Sequence, residues 1–123
     1  MSPLEKTILQ TILASIIGDV KMIAYIIENL VINDREFSED ALNKAQCCGF
    51  YLNFVSNEVL AGVEPLPHYL GIQASHKDLP VGADFIVFMN PQKGIDFLEA
   101  VFYSDTIPIQ PLLSKDHGLT ICS

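Results

Sequence analysis

The stretch DFIVFMNPQKGIDFLEAVFYS, residues 84–104, decides the fold. Residues 84–90 are apolar at almost every position, which is typical of a strand in the interior of a sheet. In the segment NPQKG, residues 90–94, proline stands at the second position of a turn and glycine closes it. Residues 95–104 then alternate in polarity, so the stretch predicts an antiparallel hairpin; a short helix over 95–104 is the alternative.

The second strand of this hairpin is predicted to have two different faces. Leu98, Ala100 and Phe102 occupy alternate positions and are expected to point into the core. Glu99 and Tyr103 fall on the opposite face. That face is interpreted as the solvated side of the sheet or as a binding surface.

Other segments supply strands and connectors around the hairpin. Residues 50–55 alternate in polarity after a glycine, and residues 68–74 predict a weaker strand. Proline and glycine interrupt residues 62–67 and 75–82, which are therefore predicted to be connectors. Two prolines in the C-terminal tail confine any strand there to an edge of the sheet.

The N-terminal part has a helical pattern. Ser2 and Glu5 fit a capping box, and apolar residues recur at helical spacing over residues 3–31. Gly18 can break the helix and Asp19 can cap a second one, so one kinked helix and two short helices both remain open. A second apolar stripe is more than one small sheet can cover, which suggests a partner for the helix; it comprises Ile8, Ile12, Ile17 and Ile26.

The most polar stretch follows the helical part, and there Ser38 is predicted to cap a short helix through about Gln46. The order of elements predicts a single α+β domain over residues 1–123, helical over 1–46 and mainly β over 49–123. Its N-terminal helix or helix pair is expected to pack on an antiparallel sheet of four or five strands.

Composition narrows the function classes. Half of the 123 residues are hydrophobic, which excludes an intrinsically disordered chain. Fifteen Asp and Glu against seven Lys and Arg give a net charge of −8. Binding to nucleic acid or to anionic lipid relies on clustered Lys and Arg, so neither partner is expected.

Cysteine usage and the absence of targeting patterns predict a cytoplasmic protein. The three cysteines have no zinc-type spacing and no secretory signal precedes them, so reduced thiols are expected. A membrane-spanning helix needs about 20 apolar residues in a row, and charged residues interrupt the N-terminal apolar run well before that length.

Catalytic and cofactor motifs are absent from the sequence. No phosphate-binding glycine loop, nucleophile elbow or HExxH motif occurs. His68 and His76, with Asp78 nearby, could hold a metal only if a loop brought them together. We therefore predict no metal site and no cofactor.

Two weaker catalytic candidates also favour ordinary structural roles. Cys48 would act as a nucleophile only with a histidine nearby, and a buried unreactive thiol is the commoner outcome. Asp96 and Glu99 stand three apart, so on a strand they point to opposite faces and cannot act as a pair. No catalytic residue is predicted.

The run GADFIVFMNPQKGIDFLEAVFYSDTIP, residues 82–108, resembles a strand pattern in small bacterial proteins of unassigned function. The upstream pair Gly49–Phe50 also fits that pattern. The resemblance implies the antiparallel hairpin and brings no activity, cofactor or catalytic residue. In size, acidity and α+β layout the chain also looks like bacterial immunity proteins, which neutralise toxins. This resemblance is to the general class of protein and does not rest on a shared motif.

These observations favour a non-enzymatic protein that binds a basic partner through an acidic surface, with a toxin-neutralising immunity protein as the specific form. The alternatives are a protein that self-associates through its N-terminal helix, and a small-ligand binder or enzyme with a pocket between sheet and helix. The residues expected to bind a protein partner are Asp34, Glu36, Glu39, Asp40, Glu99, Tyr103 and Asp105.

Overall fold

The computed structural model describes residues 1–122. The helices are α1 (Pro3–Leu13), α2 (Val20–Asn29) and α3 (Ile109–Leu112). The strands are β1 (Ile32–Glu39), β2 (Gln46–Phe54), β3 (Tyr69–His76), β4 (Leu79–Met89), β5 (Ile95–Val101), β6 (Ile107–Pro108) and β7 (Thr120–Cys122). The predicted α+β class is confirmed, but the described residues form more strands than the four or five expected.

The seven strands form one sheet in which every pairing is antiparallel. The order across the sheet is β1-β2-β5-β4-β3-β7, and β6 pairs with the start of β2. Strand β4 lies in the interior, as its apolar sequence predicted. The NPQKG turn joins β4 to β5, with the Asn90 N–H donating to the Gly94 carbonyl over 3.1 Å. The predicted hairpin is therefore confirmed.

The break in the N-terminal helical pattern produces two helices. The α1 helix ends at Leu13, and the carboxylate of Asp19 accepts the N–H of Lys21 over 2.9 Å at the start of α2. This contact is the N-cap that the sequence allowed, because a short acidic side chain satisfies free N–H groups of the first turn. Of the two alternatives, the pair of short helices is the correct one.

The core lies between the helices and one face of the sheet. Alternate strand residues point towards it, including Leu52, Phe85 and Leu98, which are fully buried. The four isoleucines of the second helical stripe are at most 7% exposed. The expectation that they exceed what the sheet can cover is wrong, because the sheet is wider than predicted and the two helices also cover each other.

Glu5 does more than close the capping box. Its Oε1 accepts the Ser2 N–H over 2.8 Å, and the Glu5 N–H donates to Ser2 Oγ over 3.2 Å, as the sequence predicted. The same carboxylate accepts two bonds of 2.8 Å from Arg35, the single arginine of the chain. This ion pair ties the start of α1 to β1 and compensates a glutamate that is 1% exposed.

The predicted short helix from Ser38 through about Gln46 is wrong. Ser38 belongs to β1, which pairs with β2 through positions such as Phe37 opposite Phe50. The apolar β2 strand needs a partner on each side, and this requirement outweighs the local capping signal. A turn over residues 40–45 connects the two strands.

The predicted connector over residues 75–82 is also wrong. Strand β3 continues to His76 and β4 starts at Leu79, so only two residues lie between them. Pro80 is tolerated in β4 because pairing with β5 begins only at Asp84, which leaves the start of β4 unpaired on that side.

Strand β2 contains a bulge near Gly49. Phe37 lies opposite Phe50 whereas Glu39 lies opposite Cys47, so β2 takes one more residue than β1 over this interval. A Cβ atom at Gly49 would lie 2.2 Å from the carbonyl oxygen of Ala100. Glycine is therefore required here by the close approach of β5.

Candidate functional site

The face of the sheet opposite the helices carries the most distinctive surface of the molecule. Its side chains are half-buried or exposed, in contrast to the buried residues on the helix side. We call this surface the open face. It is formed by outward positions of β1 to β5, namely Asp34, Glu36, Tyr51, Asn53, Tyr69, Gln73, Asp84, Ile86, Phe88, Phe97, Glu99 and Val101.

The open face is acidic and has no compensating cations. Four carboxylates lie on it, from Asp34, Glu36, Asp84 and Glu99. Within residues 1–122, no lysine or arginine occupies one of its positions, since Arg35 points to the opposite side and contacts Glu5. The strand alternation therefore places Arg35 in the interior and leaves its acidic neighbours outside.

Four aromatic rings form a continuous row across the open face. We call Tyr51, Phe97, Phe88 and Tyr69 the aromatic strip; they come from β2, β5, β4 and β3 in spatial order. Successive ring centroids are 5.8, 4.6 and 6.0 Å apart, and the central Phe88–Phe97 pair is stacked. The register between strands creates the strip, because each of four adjacent strands places one aromatic ring at an outward position near the ring of the next strand.

Carboxylates adjoin the strip at its Tyr51 end. Glu36, Tyr51 and Glu99 lie opposite one another on three adjacent strands. The Tyr51 hydroxyl donates to Oε2 of Glu99 over 2.6 Å. This hydrogen bond, then the charges of Glu99 and Glu36, raise the pKa of Tyr51 above its usual value. The phenol therefore stays protonated and acts as a donor.

An amide group holds a further acid of the open face. Asn53 Nδ2 donates to Oδ1 of Asp34 over 2.6 Å, from the outward position opposite Asp34. The bond restrains the carboxylate without neutralising it. The Asp34 carboxylate is thereby held at its outward position on the open face.

The remaining residues expected to bind a partner do not join this surface. Glu39 lies opposite the buried Cys47 beyond the bulge, and Asp40 accepts the Leu42 N–H over 2.8 Å in the following turn. Tyr103 and Asp105 lie after the end of β5, where Tyr103 has a φ of 52°. The expectation that Tyr103 shares a strand face with Glu99 is wrong because β5 ends at Val101.

The aromatic strip was missed from the sequence, although a signal for it exists. Residues 84–90 are apolar on both faces of the strand, and this pattern predicts a position in the interior of the sheet. The structure leaves one of those faces open, so Ile86 and Phe88 are only half-buried. In a fold whose helices cover only one face of the sheet, an apolar residue pattern on the other face is itself a sign of an interaction surface.

The histidines do not assemble the metal site considered above. His68 and His76 flank opposite ends of β3 and cannot converge. His76 instead lies near His117, and the Nδ1 atoms of both accept backbone N–H groups over 3.0 Å. Burial, then the nearby His76, lower the pKa of His117. Among residues 1–122 no group of three His, Cys, Asp or Glu side chains could hold a metal.

The other catalytic candidates are engaged in local structure. Burial raises the pKa of the fully buried Cys47 thiol, and Cys48 Sγ donates to the Ser38 carbonyl over 3.4 Å. Asp96 accepts Asn90 Nδ2 over 2.7 Å in the hairpin turn, away from Glu99. These arrangements favour roles in folding.

A pocket between sheet and helix was considered as a ligand site. The groove nearest to that position runs between α1 and β3 and is lined by Gln10, Thr11, Ala14, Ser15 and Ile72. None of these side chains ionises, and neither Glu99 nor His68 reaches it. The groove therefore offers no acid–base chemistry.

Within the described part of the chain, no helix has the length and apolar character needed to cross a membrane. Comparisons with protein-family models, with curated proteins and with solved structures gave no match to this chain. The function is therefore argued from the open face and its chemistry.

Proposed function

We propose that the protein is a non-enzymatic binding protein that docks on a basic protein partner through the open face. The observation that carries this proposal is the combination of four carboxylates with the aromatic strip on a surface that holds no lysine or arginine within residues 1–122. The sequence predicts three of these residues as partner-binding: Asp34 and Glu36 from the acidic stretch after the helices, and Glu99 from the outward face of its strand.

Each component of the open face has a distinct role in such an interface. Aromatic side chains are enriched at the centres of protein interfaces, where they provide much of the binding energy. Carboxylates around such a centre steer an oppositely charged partner and speed its association. An acidic surface with an aromatic centre is therefore suited to a partner with a basic surface.

A second copy of this chain is a poor occupant of the open face. Two open faces brought together would place like charges opposite one another, which costs several kcal/mol in an interface, on the order of 2 to 5. The isoleucines that suggested self-association through the N-terminal helix are buried in the core. Both points favour a different partner chain.

The most specific form of the proposal is an immunity-type inhibitor that neutralises a basic toxin in the bacterial cytoplasm. Three properties support it: the net charge of −8, the three free thiols, and the class resemblance to small acidic immunity proteins. Such an inhibitor would associate rapidly with a nuclease and block its site by mimicking a polyanion.

The test uses purified basic proteins, with the basic domain of a bacterial nuclease toxin as the first candidate, and measures association rates by surface plasmon resonance. We expect the association rate constant to fall by at least tenfold as salt is raised from about 20 to 500 mM. The double variant Glu36→Gln/Glu99→Gln should slow association and weaken binding.

A charge-matched control separates the open face from net charge. Glu28→Gln/Glu58→Gln removes two exposed carboxylates that lie away from the open face, on α2 and in the loop after β2. We expect this variant to bind almost as the wild type does. Equal loss in both double variants, or no binding to basic candidates at low salt, would refute the proposal.

A further inference from the structure

The two ends of the aromatic strip differ in what surrounds them. Tyr51 and Tyr69 each have an aromatic neighbour within the strip on one side only. Tyr51 has carboxylates on both adjacent strands, Glu36 on β1 and Glu99 on β5. Tyr69 is 63% exposed and lies beyond the reach of β7, which pairs only with residues 73–75.

At the Tyr69 end, the adjoining outward positions of β3 and β4 are apolar. Tyr69 lies opposite Phe88, and the next outward position on its own strand is Gly71. Gly71 lies opposite Ile86, so a partner can approach the sheet closely at this point. This end suits apolar side chains.

We propose that the partner places an arginine side chain at Tyr51, between Glu36 and Glu99, and covers Phe88 and Tyr69 with apolar side chains. This inference rests on the proposed function and names the chemistry that the open face selects. Tyr51 engages one oxygen of Glu99, so the other oxygen and the Glu36 carboxylate remain to accept N–H groups.

Arginine fits this position better than lysine for three reasons. The guanidinium group is planar and packs on an aromatic ring, whereas the ammonium group is a compact charge. Its five N–H donors can reach carboxylates on two strands at once. It is also more weakly hydrated, so its transfer to a partly apolar surface costs less. The site is therefore expected to distinguish two residues of equal charge.

The experiment compares two capped decapeptides, one of alternating Arg and Gly and one of alternating Lys and Gly, by isothermal titration calorimetry at low salt. We expect the arginine peptide to bind at least about threefold more tightly, as a cation–π contact at an exposed site predicts. Equal affinities would overturn the inference.

Variants at Tyr51 locate the source of the preference. Tyr51→Leu should bring the affinity ratio close to one, whereas Tyr51→Phe keeps the ring and should keep the ratio. Tyr25→Leu is the matched control, because Tyr25 is 65% exposed on α2 and lies away from the open face. A ratio that survives Tyr51→Leu would refute the placement of the arginine.

The outcomes separate this inference from the proposed function. Glu36→Gln/Glu99→Gln should weaken both peptides. If that variant weakens both while the arginine preference is absent, the arginine site is refuted and an acidic docking face is retained. If neither peptide binds the wild type, the arginine site is refuted, and the assay with the basic toxin domain decides the broader proposal.

Discussion

At the scale of single residues, the contact between Glu5 and Arg35 joins a buried carboxylate to the single arginine of the chain. A buried carboxylate is costly unless it is paired, and here the pairing uses both of its oxygens. The side chain of Arg35 is still 23% exposed, so water stabilises the guanidinium in part. Removing the glutamate charge leaves a partly buried cation without its partner.

We expect Glu5→Gln to lower the free energy of unfolding by about 3 kcal/mol, since breaking one side of a buried ion pair typically costs 3 to 5 and partial exposure reduces this. Urea unfolding followed by circular dichroism measures the change. Glu28→Gln on the exposed side of α2 is the control and should change stability by less than about 0.5 kcal/mol. Equal effects of the two variants would contradict the role of the ion pair.

The same pair predicts a pH dependence of stability. Burial by itself raises the pKa of Glu5. The hydrogen bonds from Arg35 and Ser2 together lower the pKa by more than burial raises it, so the pKa in the folded protein lies below the ordinary value. As pH falls through that ordinary value, the unfolded chain binds a proton before the folded protein does. The stabilisation is therefore complete above the ordinary pKa and decreases towards the lowered one.

Urea denaturation of the wild type and of Glu5→Gln, from about pH 7 to pH 3, tests the direction of this pH dependence. Other carboxylates titrate equally in both proteins, so the difference in unfolding free energy isolates Glu5. We expect the difference to shrink as pH falls. A difference that stays constant or grows would show that the glutamate charge does not stabilise the fold.

At the scale of elements, the bulge in β2 depends on Gly49. The approach of Ala100 leaves no room for a Cβ atom, and the contact is with backbone, which cannot rotate away. We expect Gly49→Ala to destabilise the protein by about 2 to 3 kcal/mol. Thermal unfolding measures this effect.

Gly18→Ala provides the matched control for the glycine experiment. Nothing lies within 4 Å of a Cβ atom at Gly18, which stands between α1 and α2. The substitution should be neutral or slightly stabilising, because it reduces the freedom of the unfolded chain. Similar losses at both glycines would mean that close packing against β5 is not the cause.

The elements differ in how well the sequence predicts them. The capping residues Ser2 and Asp19 act through contacts within four residues, so the starts of α1 and α2 could be predicted. Strand β1 could not, because its inward residues Ile32, Arg35 and Phe37 stand among polar neighbours and show no regular alternation. Its strand state depends on pairing with β2, which is a contact distant in sequence.

At the scale of the whole molecule, the candidate site was half predictable. Charge and strand polarity select three of the four acids of the open face and miss Asp84, and the aromatic strip depends on the order in which four strands meet. Tyr51 and Tyr69 become the two ends of one row only because β5 and β4, with Phe97 and Phe88, lie between their strands. That strand order cannot be derived from polarity patterns. Such a pattern indicates which side of the sheet a side chain occupies, but not which strands lie next to it.

Burial of the helical isoleucines and the acidity of the open face predict a monomer. We expect size-exclusion chromatography with light scattering to give the mass of one chain at low salt, where like charges repel most strongly. A stable dimer at low salt would contradict the charge argument. Any association that appears only at high salt would be consistent with screening of the open face.

The position of β1 at the edge of the sheet gives its acidic residues a second consequence. An edge strand has unpaired backbone groups that can accept another strand, and this is a route to aggregation. Asp34, Glu36 and Glu39 place negative charge along that edge. Two such edges would repel each other, so Asp34 and Glu36, which are proposed to attract a basic partner, act together with Glu39 against growth of the sheet into a fibril.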